Sequence, residues 1–308
     1  MIKCSTQFRP KFSDKKCSLN AATRGAPCHP IHESVMNLTP KSLLRRTCAL
    51  IVGDRVISIR GECGQRLWFR PKEYPSLLRG VGSFETHFLL GWKALLQSND
   101  RIADVGANIG VTVQRFYSIC QGQCRISAFE PSPRNLRLLE RNVEEIAGNN
   151  ITICPHAVSD AEGEILFTEN IEHGALSRIA SLDLSKPKNP QLWKRASQIK
   201  VKAITLDNYF LDQTPQVQVP TFIKIDVEGA GGKVLKGAIQ LLRRHRPALC
   251  CSFHCREEIE TITKVVTACG YRALTFSQDS GWKWSPLSAA DGYFVHPSDS
   301  RLERMGLS

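Results

Sequence analysis

The sequence predicts an α/β fold, a mostly parallel sheet covered by helices on both faces. Two observations predict it. From Arg101 onward, short apolar runs alternate with amphipathic stretches at the spacing of strand–helix–strand units. Several of those runs end in an acid or a glycine, where a buried strand must give way to a ligand loop or a helix. The 308 residues, 42% hydrophobic and 23% charged, are enough for one large or two modest domains.

The elements follow in order. "CALIVGDRVISIRG" (Cys48–Gly61) reads as a strand pair around a Gly-Asp turn. In Gly82–Asp100 the residues Phe88, Leu89, Trp92 and Leu95 fall near helical spacing. "RIADVGANIG" (Arg101–Gly110) is a strand running into glycine, and the helix after it places Val113, Phe116 and Cys120 on one face. "RISAFE" is a second strand. Ser132 then serves as N-cap and Pro133 as first-turn residue of a helix with the stripe Leu136, Leu139, Val143 and Ile146. "NITICPHAVSD" is a third strand, and "GEILFTE" and "QIKVKAITLDNYF" hold further strand-like runs. The polar stretch between Thr168 and Ser197 is a long irregular segment, of the kind that in compact domains is functional or mobile. "FIKIDVEGA" is a strand, "KVLKGAIQLLRRH" a helix, "PALCCSF" a strand, "EEIETITKVVTACG" a helix, and "YRALTF" and "GYFVHP" are closing strands.

Charge is uneven along the chain. The formal net charge is +12, yet Met1–Arg46 alone carries nine Lys/Arg against Asp14 and Glu33. The rest is only mildly basic, and no aromatic–basic interleaving marks a nucleic-acid platform. Residues 1–46 predict a disordered basic tail, 47–99 a strand–helix segment capping the domain, 100–298 the main domain and 299–308 a C-terminal tail. The tail has no signal-peptide core, and no run reaches the ~18 apolar residues of a membrane span. A cytoplasmic protein is the expectation, with an organelle as the alternative if the Ser-, Lys- and Arg-containing tail is a transit peptide. The 12 cysteines form no CxxC pair, which predicts reduced, mostly buried thiols. His254 between Cys251 and Cys255 is a poor metal site, so no metal is expected.

The chemistry concentrates at the strand ends. "DVGANIG" puts Gly106 and Gly110 after Asp104, and the helix that follows offers free N–H groups. A dinucleotide loop would read G-x-G-x-x-G, and the acid would repel a pyrophosphate. Asp104 suits an ammonium, and Glu130 at the end of the next strand suits the two hydroxyls of a ribose. Together they describe S-adenosylmethionine better than a nicotinamide cofactor. Asp226, Glu228 and His254 are the candidate catalytic residues, because a hydroxyl nucleophile is helped by a positioned base. Glu228 has helix capping as its competing role.

The blocks "RIADVGANIGVTVQRF", "AFEPSPRNLRLLERN", "ITICPHAVSD", "VKAITLDNYF" and "FIKIDVEGAGGKVLKGA" resemble, in order, the FkbM-type methyltransferases of the class I S-adenosylmethionine-dependent enzymes. The resemblance implies a Rossmann-like seven-stranded sheet with a C-terminal antiparallel hairpin. It also implies methylation of a hydroxyl oxygen on a small molecule, sugar or lipid, with nucleic acid not the expected partner. By position it places Asp104, Gly106, Asn108 and Gly110 at the methionine end of the cofactor and Glu130 at the ribose. Ser132, Ala157 and Asp160 fall around the adenosine, and Asp226 at the methyl group. Two departures stand out. Gly231 and Gly232 follow Ala230 where relatives carry an acid, so the next helix is expected to start late or fray. Ser252 stands where a Glu-x-His pattern would place its Glu. These keep a catalytically impaired binding module open as an alternative, and the basic tail keeps an RNA methyltransferase open. The oligomeric state is not legible.

Overall fold

The computed structural model describes residues 54–62, 64–83, 86–146, 148, 150–170, 177–179, 196–212, 218–277, 279, 281–284 and 291–307. The basic tail, the Cys48–Gly53 half of the first strand pair and most of the irregular segment between Thr168 and Ser197 lie outside the described residues.

Along the chain come β1 (Ile57–Arg60), β2 (Arg66–Phe69), α1 (Thr86–Leu95), β3 (Arg101–Val105), α2 (Val111–Ile119), β4 (Arg125–Phe129) and α3 (Pro133–Glu144). Then follow β5 (Ile151–Cys154), β6 (Ala157–Val158), β7 (Gly163–Asn170), β8 (Arg178–Ile179), β9 (Ala196–Ile204) and β10 (Phe222–Ile225). The chain closes with α4 (Gly231–Lys236), α5 (Ile239–His245), β11 (Ala248–Ser252), α6 (Arg256–Ala268), β12 (Arg272–Ser277), β13 (Gly281–Trp284), β14 (Asp291–Val295) and α7 (Arg301–Arg304). No helix among the described residues is long and apolar enough to cross a membrane.

The main sheet runs β13-β12-β14-β11-β10-β3-β4-β5. The five strands β5, β4, β3, β10 and β11 are mutually parallel, and β14 enters antiparallel beside β11. This is the expected Rossmann-like sheet with its antiparallel closing hairpin. β13, "GWKW", adds an eighth strand at the edge by pairing with β12. One apolar layer packs α4, α5 and α6 against the sheet through Val234, Leu241 and Ile262. The other packs α1, α2 and α3 against the opposite face through Trp92, Phe116 and Leu139. A smaller sheet, ordered β6-β9-β7-β8, stands beside the main one. It contributes Ala157 and Phe167 to a separate apolar cluster with Ala230.

β1 pairs with β2, Ile57 opposite Phe69, and the first half of the strand pair expected around the Gly-Asp turn lies outside the described residues. Two expectations are corrected. "KVLKGAIQLLRRH" forms two helices rather than one. A Cβ at Gly237, in the break, would strike the carbonyl oxygen of Ser159, so close backbone approach interrupts the helix there. Finally, α4 begins at Gly231 itself and does not start late. Side chains at the two glycines would meet Glu258 at 2.9 Å and Thr261 at 2.6 Å. The glycines let α4 lie close against α6, which offsets their low helix propensity.

The segment before β3 is locked to α3. Asn142, fully buried, accepts from the Trp68 backbone N–H at 2.6 Å and donates to the carbonyls of Trp68 at 2.9 Å and Ile109 at 2.7 Å. The Trp68 indole lies under the Arg141 guanidinium at 3.3 Å and donates to Glu145 at 2.8 Å. Around these contacts Leu67, Phe69, Leu77 and Val81 pack onto Ile109, Val111 and Leu138. Asn142→Ala leaves backbone groups without partners at about 1–3 kcal/mol each. It is expected to lower the unfolding free energy in urea by roughly 2–4 kcal/mol. A change within about 0.5 kcal/mol, the range of neutral surface substitutions, would refute this anchoring role.

Candidate active site

One cavity opens at the carboxyl ends of β3, β4 and β10, the position where open α/β sheets take ligands. Its wall includes the Gly106–Ile109 loop, Glu130, His156, Ala157, Phe167, Lys224, Asp226 and Glu228.

The loop after β3 is shaped by backbone approach. Gly106 has φ +81, and a Cβ there would strike the carbonyl oxygen of Asp226. Gly110 has φ +88 and sits 2.8 Å, by its missing Cβ, from Leu139. Asn108 adopts φ 53, a left-handed conformation that asparagine tolerates. This curl aims the Asn108 N–H at Glu130 Oε2, 2.9 Å away. The Ser132 N–H meets Glu130 Oε1 at 2.9 Å, and the Asn135 amide reaches the same oxygen at 3.4 Å. Burial pushes the Glu130 carboxyl up to about 7, although these donors pull it down.

Lys224 organises the floor. The parallel register of β3 and β10 sets it opposite Asp104, on the same face of the sheet. Its ammonium lies 3.1 Å from Asp104 Oδ1 and 3.7 Å from Asp226 Oδ2, and donates to the Gly106 carbonyl at 2.8 Å. Asp104 also accepts from the Thr112 hydroxyl. Both Lys224 and Asp104 are buried, the latter completely.

Beyond the tip of β10, His254 gathers carboxylates. Its Nε2 is 3.3 Å from Asp226 and 3.8 Å from Glu228, and its Nδ1 is 3.2 Å from Glu258. Glu258 also accepts from the His254 N–H at 2.8 Å and the Gly231 N–H at 2.7 Å. Burial opposes charge on the ring, but Glu228, Asp226 and Glu258 together raise its pKa well above 6.5. Burial likewise works against the Asp226 anion. Lys224, His254 and a hydrogen bond from the Ser252 hydroxyl prevail and hold its pKa below 3.8.

A family model described as "Methyltransferase FkbM domain" matches residues 104–273. The chain belongs to the FkbM methyltransferase family. It is 29% identical over 147 residues to the hexuronic acid methyltransferase AglP of Haloferax volcanii, 48% of this chain and 53% of that protein. It is 28% identical over 148 residues to Methyltransferase 1 of Beauveria bassiana, covering 44% of this chain and 57% of the relative. The chain thus spans about half the length of the curated relatives it matches. The crystal structure of an FkbM methyltransferase from Methylobacillus flagellatus KT aligns over 65% of this chain and 44% of its own, at 20% identity and TM-score 0.44. Aeropyrum pernix fibrillarin, solved with natively bound S-adenosyl-L-methionine, aligns over 79% and 83% at 16% identity and TM-score 0.38.

Within this FkbM domain the expected residues divide. Gly106, Asn108, Glu130, Ala157, Asp226 and Glu228 border the cavity. Gly110 shapes the loop from behind. Asp104 stands below the floor, its carboxylate 3.1 Å from the Lys224 ammonium, and is not among the residues bordering the cavity. Ser132 caps α3 and donates to Glu169 at 2.5 Å, away from the cavity wall. Asp160 is exposed and turned to Ser159, also away from it. His254 lies behind Asp226 and Glu228. Sequence reading passed over Lys224, His156, Glu258 and Tyr74. Lys224 carried a signal, since a lysine inside "FIKI" must find a buried partner. Glu258 carried a weaker one as a first-turn acid of α6.

The raised pKa of His254 makes a sign-definite prediction. Its contribution to stability is complete below the ordinary imidazole value of 6.5 and is lost as pH rises through the raised value. Urea unfolding of the wild type should therefore show stability falling on the alkaline side, and His254→Gln should flatten that fall. An identical alkaline slope in both proteins would refute it.

Proposed function

We propose that this chain is an S-adenosylmethionine-dependent methyltransferase acting on a hydroxyl oxygen of a sugar-like small molecule. The observation that carries the reading is the convergence of Glu130, Asp226 and Glu228 on one cavity of an FkbM domain. The donor set fits the cofactor. Glu130 has its carboxylate oriented by backbone N–H groups, as a group accepting from vicinal hydroxyls needs to be. Phe129, Val158 and Phe167 offer apolar surface for a flat ring. Asp226 and Glu228 line the same wall, with Glu258 behind them, and this acidic edge suits a cationic donor. The likeness to a hexuronic acid methyltransferase supports a sugar as acceptor.

When bound, the cofactor supplies an electrophilic methyl group, and an in-line displacement needs no acid for its leaving group. The chain's own task is to hold the acceptor in line and receive its proton. Asp226 is assigned that proton because it borders the cavity as a carboxylate. Lys224 and His254 make it a weak base, so it takes the proton late, once the oxygen gaining the methyl group has become strongly acidic. Glu228, beside it on the wall, holds the acceptor. His254 is charged at neutral pH, so it positions these two carboxylates and does not act as the base. A catalytically impaired domain is the competing reading, raised by Gly231, Gly232 and Ser252. The glycines pack α4 on α6 and Ser252 hydrogen-bonds Asp226, which favours a working site.

Two outcomes test this. Calorimetric titration with S-adenosylmethionine should show affinity weakening as pH falls through about 7, where Glu130 takes up a proton and ceases to be a full acceptor. Glu130→Ala should bind at least about tenfold more weakly, and equal affinity in both proteins would sink the ribose assignment. Asp226→Asn should reduce turnover on a verified acceptor by about 100-fold or more while cofactor affinity moves far less. Turnover at the wild-type rate would remove Asp226 from the mechanism.

A further inference from the structure

The matched family domain starts at Asp104, yet the cavity's support does not. Just before the 3-10 turn Pro75–Arg79 lies Tyr74, only 2% exposed and packed among Leu77, Val81, Ile109 and Leu138. Its hydroxyl donates toward the side-chain oxygen of Asn108 and lies 3.1 Å from the side-chain oxygen of Asn135. Asn108 and Asn135 are both residues of the cavity wall, and both are donors to Glu130. One buried hydroxyl therefore ties together the two elements that orient the Glu130 carboxylate, the loop after β3 and the first turn of α3.

The neighbouring residue reinforces the tie. Glu73, 3% exposed, accepts from Arg134 Nε at 2.8 Å, so the same stretch grips α3 immediately beside Asn135. Phenylalanine at position 74 would fill the same apolar hole but take from Asn108 its hydroxyl donor and from Asn135 the oxygen it lies beside. The Asn108 side chain and the left-handed backbone beneath it would lose their tether. The aim of its N–H at Glu130 depends on that backbone.

We infer that Tyr74, outside the matched family domain, is a positioning residue of the cofactor site that acts through Asn108 and Asn135 on Glu130. Tyr74 is then part of the binding machinery through these polar contacts, while the apolar side chains packed around it cover the core. This inference rests on the proposed assignment of Glu130 to the cofactor.

The experiment is calorimetric titration of S-adenosylmethionine into wild type, Tyr74→Phe, Leu77→Ala, Glu130→Gln and the Tyr74→Phe/Glu130→Gln double variant, with a thermal melt of each. Leu77 packs in the same cluster but makes no polar contact with the cavity wall, so it controls for general loosening. Tyr74→Phe is expected to weaken binding about tenfold. Leu77→Ala is expected to lower the melting temperature more than Tyr74→Phe and leave affinity unchanged. In the Glu130→Gln background the Tyr74→Phe loss is expected to shrink to within about twofold, the mark of residues acting through one another. Wild-type affinity in Tyr74→Phe overturns the inference. So does a full tenfold loss that persists beside Glu130→Gln, or an equal loss in Leu77→Ala. A wild type that does not bind the cofactor at all overturns the cofactor reading itself, a result distinguishable from the others.

Discussion

The site depends on one buried ammonium. Lys224 stands in a strand where its neighbours Phe222, Ile223 and Ile225 are fully buried, and it holds a charge there because Asp104 lies opposite in register. Burying such a pair costs desolvation, so its contribution is less stability than geometry. The geometry reaches three places. Asp104 is fixed to β3 and α2 through Thr112, Gly106 is held by its carbonyl, and Asp226 is held at the tip of β10. The loop that approaches Glu130 and the Asp226 carboxylate on the cavity wall are thus set by the same atom.

The two departures from the family pattern fit this frame. An acid after Ala230 would stand where Glu258 now accepts from the Gly231 N–H. A carboxylate serves the helix start and reaches His254, and it comes from α6. Ser252, in place of the Glu of the Glu-x-His pattern, contributes a hydroxyl to Asp226 without adding charge. Asp226, Glu228 and Glu258 already surround one imidazole, and a further carboxylate among them would add repulsion in a poorly solvated place. Small residues at 231 and 252 and a glutamate at 258 are mutually consistent.

The alternation of strands and helices was legible because each buried strand is a continuous apolar run and each helix carries an apolar stripe. Glu130 and the glycine loop could be read because strand ends are where such sheets bind ligands. What could not be read depended on contacts far apart in sequence. Asn142 looks like a solvated helix residue until Trp68, 74 positions earlier, is folded onto it. Tyr74 looks like loop filler until it meets Asn135, 61 positions later. The partner of Asp104 is hidden for the same reason. Sequence shows an acid at a strand end, and only the pairing of β3 with β10 shows that its cation is internal. The break at Gly237 was invisible because what forces it is the carbonyl of Ser159.

The distribution of protons follows from these placements and limits the chemistry. Asp226 is held ionised and His254 protonated, so the pair begins as a salt bridge. A proton arriving on Asp226 would break the attraction that raises His254, and His254 would then hold its own proton less tightly. The two groups thus titrate as a unit, and a charge gained at the cavity wall is felt at Glu258 through the ring between them. A cation bound at the cavity wall would compete with His254 for Asp226 and Glu228. Such competition would lower the pKa of the ring, because the carboxylates that raise it would be shared. An imidazolium can surrender its charge when a cation arrives, while an ammonium with a pKa near 10.4 would keep it.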